Sequence, residues 1–453
     1  MKRTMRILAA LMFMLIGCGC IYTEADAAEK NFTITNDYNG QNYLNVGDTG
    51  KVELDLSSAY TDITITEVTY ESTNESVIYC DSTGNYKALA KGEGGIKANY
   101  IIEQAYTYND YVYGEDGALQ VQEVVDTYTI EGTATIYFIV QPDMSSAYLS
   151  KTSIKLYTAD SYGSTEFTVN LKGCETLSET DGYTSFFVES SNSKISVYAS
   201  MTDNVIKVSA YGTGTTTVKF TINDKELKLK VTLKQVKINK TSLLIVTGKK
   251  AQLKIKGISN GLIKWKSTKK SAVTVNSKGV IKARKNGNAV IIANVKGARV
   301  GCAVSVVTAK MSKIIKTAKR IGKTCKYSQP MRMMSGYYDC SSLVWRAYKT
   351  AGITFGNRSY APVAADIAKW CSGHGKRISK SMSTGQINKM IFKPGDLYFG
   401  TGESNGRYLG IYHVEMFAGY DCYGISASGK PMLTTCWANR GEGYGYGGLI
   451  MRP

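Results

Sequence analysis

The 453 residues contain only two histidines, His374 and His413, so any imidazole chemistry rests on one of them. Of the ten cysteines, Cys340 is the one placed for reactivity. Tyr338 and Asp339 precede it and Ser341 and Ser342 follow it. The stripe Leu343, Val344, Ala347 and Tyr348 predicts a helix over 340–351 that starts at the thiol. A thiol at a helix N-terminus meets the positive end of the dipole and free N–H groups. Both favour the thiolate, and the same N–H groups suit an oxyanion. Paired with an imidazole that shuttles its proton, such a thiol suits nucleophilic acyl transfer. His413 alternates with Val414, Met416 and Ala418 in a strand pattern, a rigid mount for a base. His374 lies in Ser372-Gly373-His374-Gly375, which reads as a flexible loop, so His413 is the preferred base. From spacing alone, a buried cysteine that starts a helix and an unrelated strand histidine remain an equal alternative.

The elements that must hold these residues begin after Thr308. Ile314, Ile315, Ala318 and Ile321 recur at helical spacing over 311–321. A further helix is expected over 361–370 with Pro362 in its first turn, followed by strands at 396–399 and 412–417. Helices first and strands after predict an α+β domain over 310–453.

Residues 30–309 read differently. Strings beginning at Glu71, Glu189 and Lys266 occupy matching places in three segments. Each is followed by a small-residue turn, at Gly92, Gly212 and Gly287, and then a β-rich run. Period-two alternation, as in Leu253-Lys254-Ile255-Lys256, marks half-buried strands with lysines on the wet face. Many short strands between turn signals predict β-sandwiches over 28–145, 146–235 and 236–309. The pattern expects Trp265 and Cys302 in the core of the third. A Tyr-rich acidic insertion at 106–126 has no place in this scheme.

Two resemblances follow from these residues. Val236-Lys237-Ile238-Asn239-Lys240-Thr241, Ile263-Lys264-Trp265-Lys266-Ser267 and Gly279-Val280-Ile281-Lys282-Ala283 resemble a bacterial immunoglobulin-like domain of the intimin/invasin type, and the first two segments fit it more loosely. Tyr338-Asp339-Cys340-Ser341-Ser342, then Pro394-Gly395-Asp396-Leu397, then His413-Val414-Glu415-Met416 resemble the NlpC-type papain-like cell-wall cysteine peptidases over 310–453. The expected fold class is thus three all-β immunoglobulin-like sandwiches followed by an α+β papain-like cysteine peptidase domain. That second resemblance implies a cysteine-type peptidoglycan endopeptidase with Cys340 as nucleophile and His413 as base. It also implies Asp339 and Ser341 as binders of the free amine of a stem peptide, with Tyr327 near them. Ser342 stands where that family most often has Gly. The residue that orients the base is not obvious: Thr434, Thr435 and Asn439 are available and Thr434 is preferred, Glu415 being expected to pack beside His413. An amidase separating peptide from muramic acid, and a non-catalytic surface adhesin that only binds wall peptide, are the alternatives.

Residues 1–27 read as a secretory leader: Lys2, Arg3 and Arg6, an apolar run over 7–17, and the small-x-small site at Ala25 and Ala27. Cleavage there and lipidation at Cys18 are both open; either predicts a secreted or wall-associated protein with no transmembrane helix. No zinc-type cysteine spacing and no nucleotide loop is evident, so no metal or cofactor is expected. The net charge of +18 divides unevenly. It is −14 over 28–145, +1 over 146–235, +16 with no acidic residue over 236–309, and +14 over 310–453. Export argues against nucleic acid as the partner of this basic half. Peptidoglycan stem peptides and anionic wall polymers such as teichoic acids are the expected partners.

Overall fold

The computed structural model describes residues 29–35, 40–115, 117–160, 164–404, 406–439 and 448–453. The expected leader and Cys18 lie outside these residues. The chain forms two compact units, one of Met1–Ile154, Glu166–Ala210 and Thr216–Val231, the other of Lys155–Thr165, Tyr211–Thr215 and Thr232–Pro453. No helix among the described residues is long and apolar enough to cross a membrane.

In the first unit, alternating apolar residues build a sandwich of two four-stranded sheets. One runs in the order Phe32–Ile34, Thr49–Leu54, Asn85–Ala88, Ile78–Cys80; the other Asn42–Asn45, Leu119–Gln141, Gly92–Tyr113, Ile63–Ser72. Ile34, Val52, Ile78, Ile96 and Phe138 fill the space between them. Along Gly92–Tyr113 the residues Ile96, Ala98, Tyr100 and Ile102 are buried, after which no residue is. The insertion at 106–126 is thus the outer part of a long hairpin, paired from Gly92↔Val140 out to Tyr113↔Leu119. Gly132 lies opposite Tyr100, where a Cβ would come within 2.4 Å of the ring, so only glycine lets that tyrosine lie across the strand. A second set of strands includes Ser164–Lys172, Phe186–Ser190 and Ile195–Thr202.

In the second unit, residues 242–307 form a smaller sandwich. One sheet has the order Ser242–Val246, Ala298–Val307, Gly287–Val295, Ile263–Ser267; the other Lys250–Gln252, Val280–Ala283, Val273–Val275. Leu253, Ile281, Ile291, Cys302 and Val304 form its core, with Trp265 packed against them. The strand Gly287–Val295 is buried almost throughout because both its faces are covered. Ala289 and Ile291 face the sandwich core. Val290 and Ile292, with Ala303, join Phe392, Tyr398, Phe417 and Tyr420 from the region beyond. Polar contacts reinforce that seam: Asn288 Nδ2 donates to Phe392 O (2.7 Å), and Ser242 Oγ donates to Tyr420 O (2.8 Å).

That later region carries the helices Ala309–Thr324, Cys340–Lys349, Ala364–His374 and Thr384–Asn388. Its antiparallel sheet has the order Lys376–Ser379, Gly448–Arg452, Leu397–Thr401, Ile411–Ile425, Pro431–Trp437. Pro362 lies before the third helix rather than in its first turn, because Val363 is the N-cap.

The expected fold class is corrected. Strands hold 53% of the described residues and helices 12%, and β-sandwiches dominate the architecture. The helical pattern after Thr308 suggested a self-sufficient papain-like α+β domain. Instead, the sheet there shares an apolar core with the preceding sandwich inside one compact unit.

Candidate functional site

Asp339 is the N-cap that starts the helix at Cys340. Its carboxylate accepts from Ser342 N (2.7 Å), and Ser342 Oγ in turn accepts from Asp339 N (2.9 Å), a reciprocal capping box. The same carboxylate accepts from Ser341 Oγ (3.3 Å) and pairs with Arg332 Nε (3.3 Å). Arg332 is itself fixed by donating to the carbonyls of Ala361 and Pro362. Asp339, Ser341 and Ser342 are all buried. The carboxylate assigned to a ligand amine is therefore spent on holding the helix start and neutralising Arg332.

Cys340, the first residue of that helix, is buried with its side chain toward two partners. The short strand Lys326–Tyr327 pairs in parallel with Tyr337–Tyr338 and brings the Tyr327 hydroxyl onto Cys340. Burial, together with the charge and hydrogen bond of Cys340, pushes that phenol up to about 12. Half of Tyr327 stays exposed, its ring edge-on to Tyr338 at 5.5 Å. The other partner is His413, mounted on Ile411–Ile425 opposite Gly400 and hydrogen-bonded to Cys340. Burial alone disfavours the imidazolium, yet contacts with Cys340 and Glu415 outweigh it and raise the histidine from 6.5 to about 9.

Glu415 lies where the sequence reading expected it, beside His413. A strand turns residues two apart to the same face, so Glu415 stands beside His413, with Oε1 3.5 Å from Nε2, and is almost wholly buried. The period-two rule was enough to find it. Asn439 clamps the strand around it, accepting from Met416 N (3.1 Å) and donating to Val414 O (3.4 Å).

Thr434 is not brought to this cluster. It pairs with Asp421, eight residues along the strand from His413, roughly 26 Å away at about 3.3 Å per residue. His374 ends the helix Ala364–His374 rather than lying in a loop, stacked on Trp370 with ring centroids 4.6 Å apart. Among the described residues no group of three or more His, Cys, Asp or Glu is placed to hold a metal ion. The cluster brings the Cys340 thiol into hydrogen-bond contact with the His413 imidazole and the Tyr327 hydroxyl, with Glu415 beside the histidine. Its carboxylate is buried and its phenol half-exposed, so Tyr327 is the member of the cluster that meets solvent.

No protein family matches the chain, and no curated protein sequence matches it. Solved structures similar to it include the following. Invasin, a bacterial integrin-binding protein, is 11% identical, covering 86% of this chain and 93% of its own, with a TM-score of 0.28. Domains 4 and 5 of the S-layer protein SbsC are 17% identical, covering 40% of this chain and 81% of their own, with a TM-score of 0.18. The I67–I69 fragment of titin is 9% identical, covering 62% of this chain and 95% of its own, with a TM-score of 0.23. The expected NlpC-type membership of residues 310–453 has no counterpart among them, and the reading as a cysteine peptidase, thiol protease or peptidoglycan hydrolase is withdrawn.

Proposed function

We propose that the protein is a non-catalytic surface adhesin, exported from the cell, whose basic half holds it at anionic cell-wall polymers. The observation that carries this reading is the unneutralised charge of residues 236–309, which contain 16 Lys and Arg and no acidic residue. Among the described residues none of those cations enters an ion pair. Lys250 and Lys282 lie directly opposite each other on adjacent strands, where like charges destabilise a sheet. A polyanion relieves that repulsion, and teichoic-type polymers are the abundant polyanions outside a bacterial cell. The cluster at Cys340, His413 and Tyr327 then acts as a contact point for a wall peptide. Asp339 and Ser341 shape it by fixing the helix start.

Co-sedimentation of the full chain with purified sacculi tests this. Binding is expected to fall about tenfold or more between roughly 0.05 M and 0.5 M salt, because exposed charges are screened within about 10 Å at 0.1 M. Cys340→Ala is expected to bind as the wild type does, and mass spectrometry of treated muropeptides is expected to show no new peptide ends. Salt-independent binding, or a product that depends on Cys340, sinks the reading.

A further inference from the structure

Among the described residues, the outer part of the first sandwich's hairpin has no counterpart in the other sandwiches and no third strand against it. Beyond Gln104 the strands pair only with each other, out to Tyr113↔Leu119. Register puts Tyr111, Tyr113, Leu119, Val121 and Val125 on one face, and each is between 56% and 78% exposed. On the opposite face Tyr106 packs against Tyr108 and Tyr128, with ring centroids 5.8 and 5.7 Å apart. Tyr111, Tyr113, Leu119 and Val121 form an exposed apolar patch at the tip, with Asn109 and Glu123 between it and Val125, and such a patch marks an interaction surface. Residues 103–131 also carry seven carboxylates and no Lys or Arg. That charge favours a cationic partner and disfavours arm-to-arm contact between copies.

We propose that this arm docks onto the lysine-rich sandwich (residues 236–307) of a second copy of the chain. The receiving surface is the outer face of the sheet Lys250–Gln252, Val280–Ala283, Val273–Val275. Lys250 and Lys282 stand exposed and opposed there. The other sheet of that sandwich is already covered through Val290, Ile292 and Ala303, so this face is the one left for a partner. Tyrosine faces accept lysine ammonium groups by cation–π contact, while the arm's carboxylates supply the counter-charge that the sandwich lacks. The two surfaces differ, so the contact is heterologous and open to growth beyond a dimer.

Sedimentation velocity of the full chain over a concentration series, in the absence of wall material, tests the proposal. The wild type is expected to self-associate at low salt and to become monomeric at high salt. Reversing the arm (Asp110→Lys with Glu123→Lys and Asp126→Lys) is expected to weaken association about tenfold or more, as is reversing the sheet (Lys250→Glu with Lys282→Glu). Mixing the two reversed proteins is expected to restore it. Tyr111→Ser with Tyr113→Ser, which alters only exposed side chains, gives an independent check on the arm, with circular dichroism confirming the fold. A wild type that stays monomeric throughout, association that survives arm reversal, or failure of the mixture to associate overturns the proposal.

Discussion

At His413 two opposing effects compete, and the outcome is measurable. Desolvation penalises the imidazolium, but Cys340 on one side and Glu415 on the other stabilise it, and the balance lifts the histidine to about 9. NMR titration is expected to place the His413 transition near that value in the wild type. In Cys340→Ala it should move back toward 6.5. An unmoved transition in the variant would show that Cys340 is not the cause. The shift also fixes a stability window. The folded value is raised above the unfolded one, so the stabilisation is complete below about pH 6.5 and is lost as pH rises through about 9. Urea midpoints across that range are expected to decline more steeply for wild type than for His413→Gln. Parallel profiles would argue against the assignment.

Among the elements, the Pro394-Gly395-Asp396 turn does the most to place the strand that faces His413. Gly395 has φ +97°, and a Cβ there would come within 2.5 Å of Met311 Sδ and 2.9 Å of the Tyr348 hydroxyl. Asp396, almost wholly buried, takes a two-pronged bond from Arg452 (2.7 and 2.8 Å). Thus Pro-Gly-Asp-Leu, which the sequence offered as a catalytic-family signature, works here as a joint between two helices, a turn and the interior strand that carries Arg452. Gly395→Ala is expected to cost about 2 kcal/mol, seen as a lower thermal midpoint, since it combines a left-handed backbone with a clash. Tyr420→Phe probes the seam. Its buried hydroxyl accepts from Phe392 N (2.9 Å), and removing it strands that N–H at a cost of about 1–3 kcal/mol.

Over the whole molecule, the charge arithmetic and the packing meet in the second unit. The acid-free sandwich is joined to the helical region by shared apolar side chains and by Asn288, so its cations and the Cys340 cluster ride on one compact body. Differential scanning calorimetry is expected to show two transitions, one per unit, with Tyr420→Phe lowering only one of them. A third transition assignable to residues 309–453 alone would contradict the shared core.

Local pattern by itself determined the strand-rich sandwiches, the helix starting at Cys340, the strand under His413 and the uneven charge, because side-chain periodicity, capping and composition are written in neighbouring residues. It also placed Glu415, two positions on, beside the histidine. Tertiary structure decided the rest. Thr434 lies far along the strand because register is set by pairing partners distant in sequence. Asp339 is occupied by Arg332, a contact no spacing rule predicts. Strand pairing between 105–113 and 119–127 turned an unplaced tyrosine-rich insertion into an exposed arm. The double burial of Gly287–Val295 fused a sandwich and a helical region that the sequence pattern had separated.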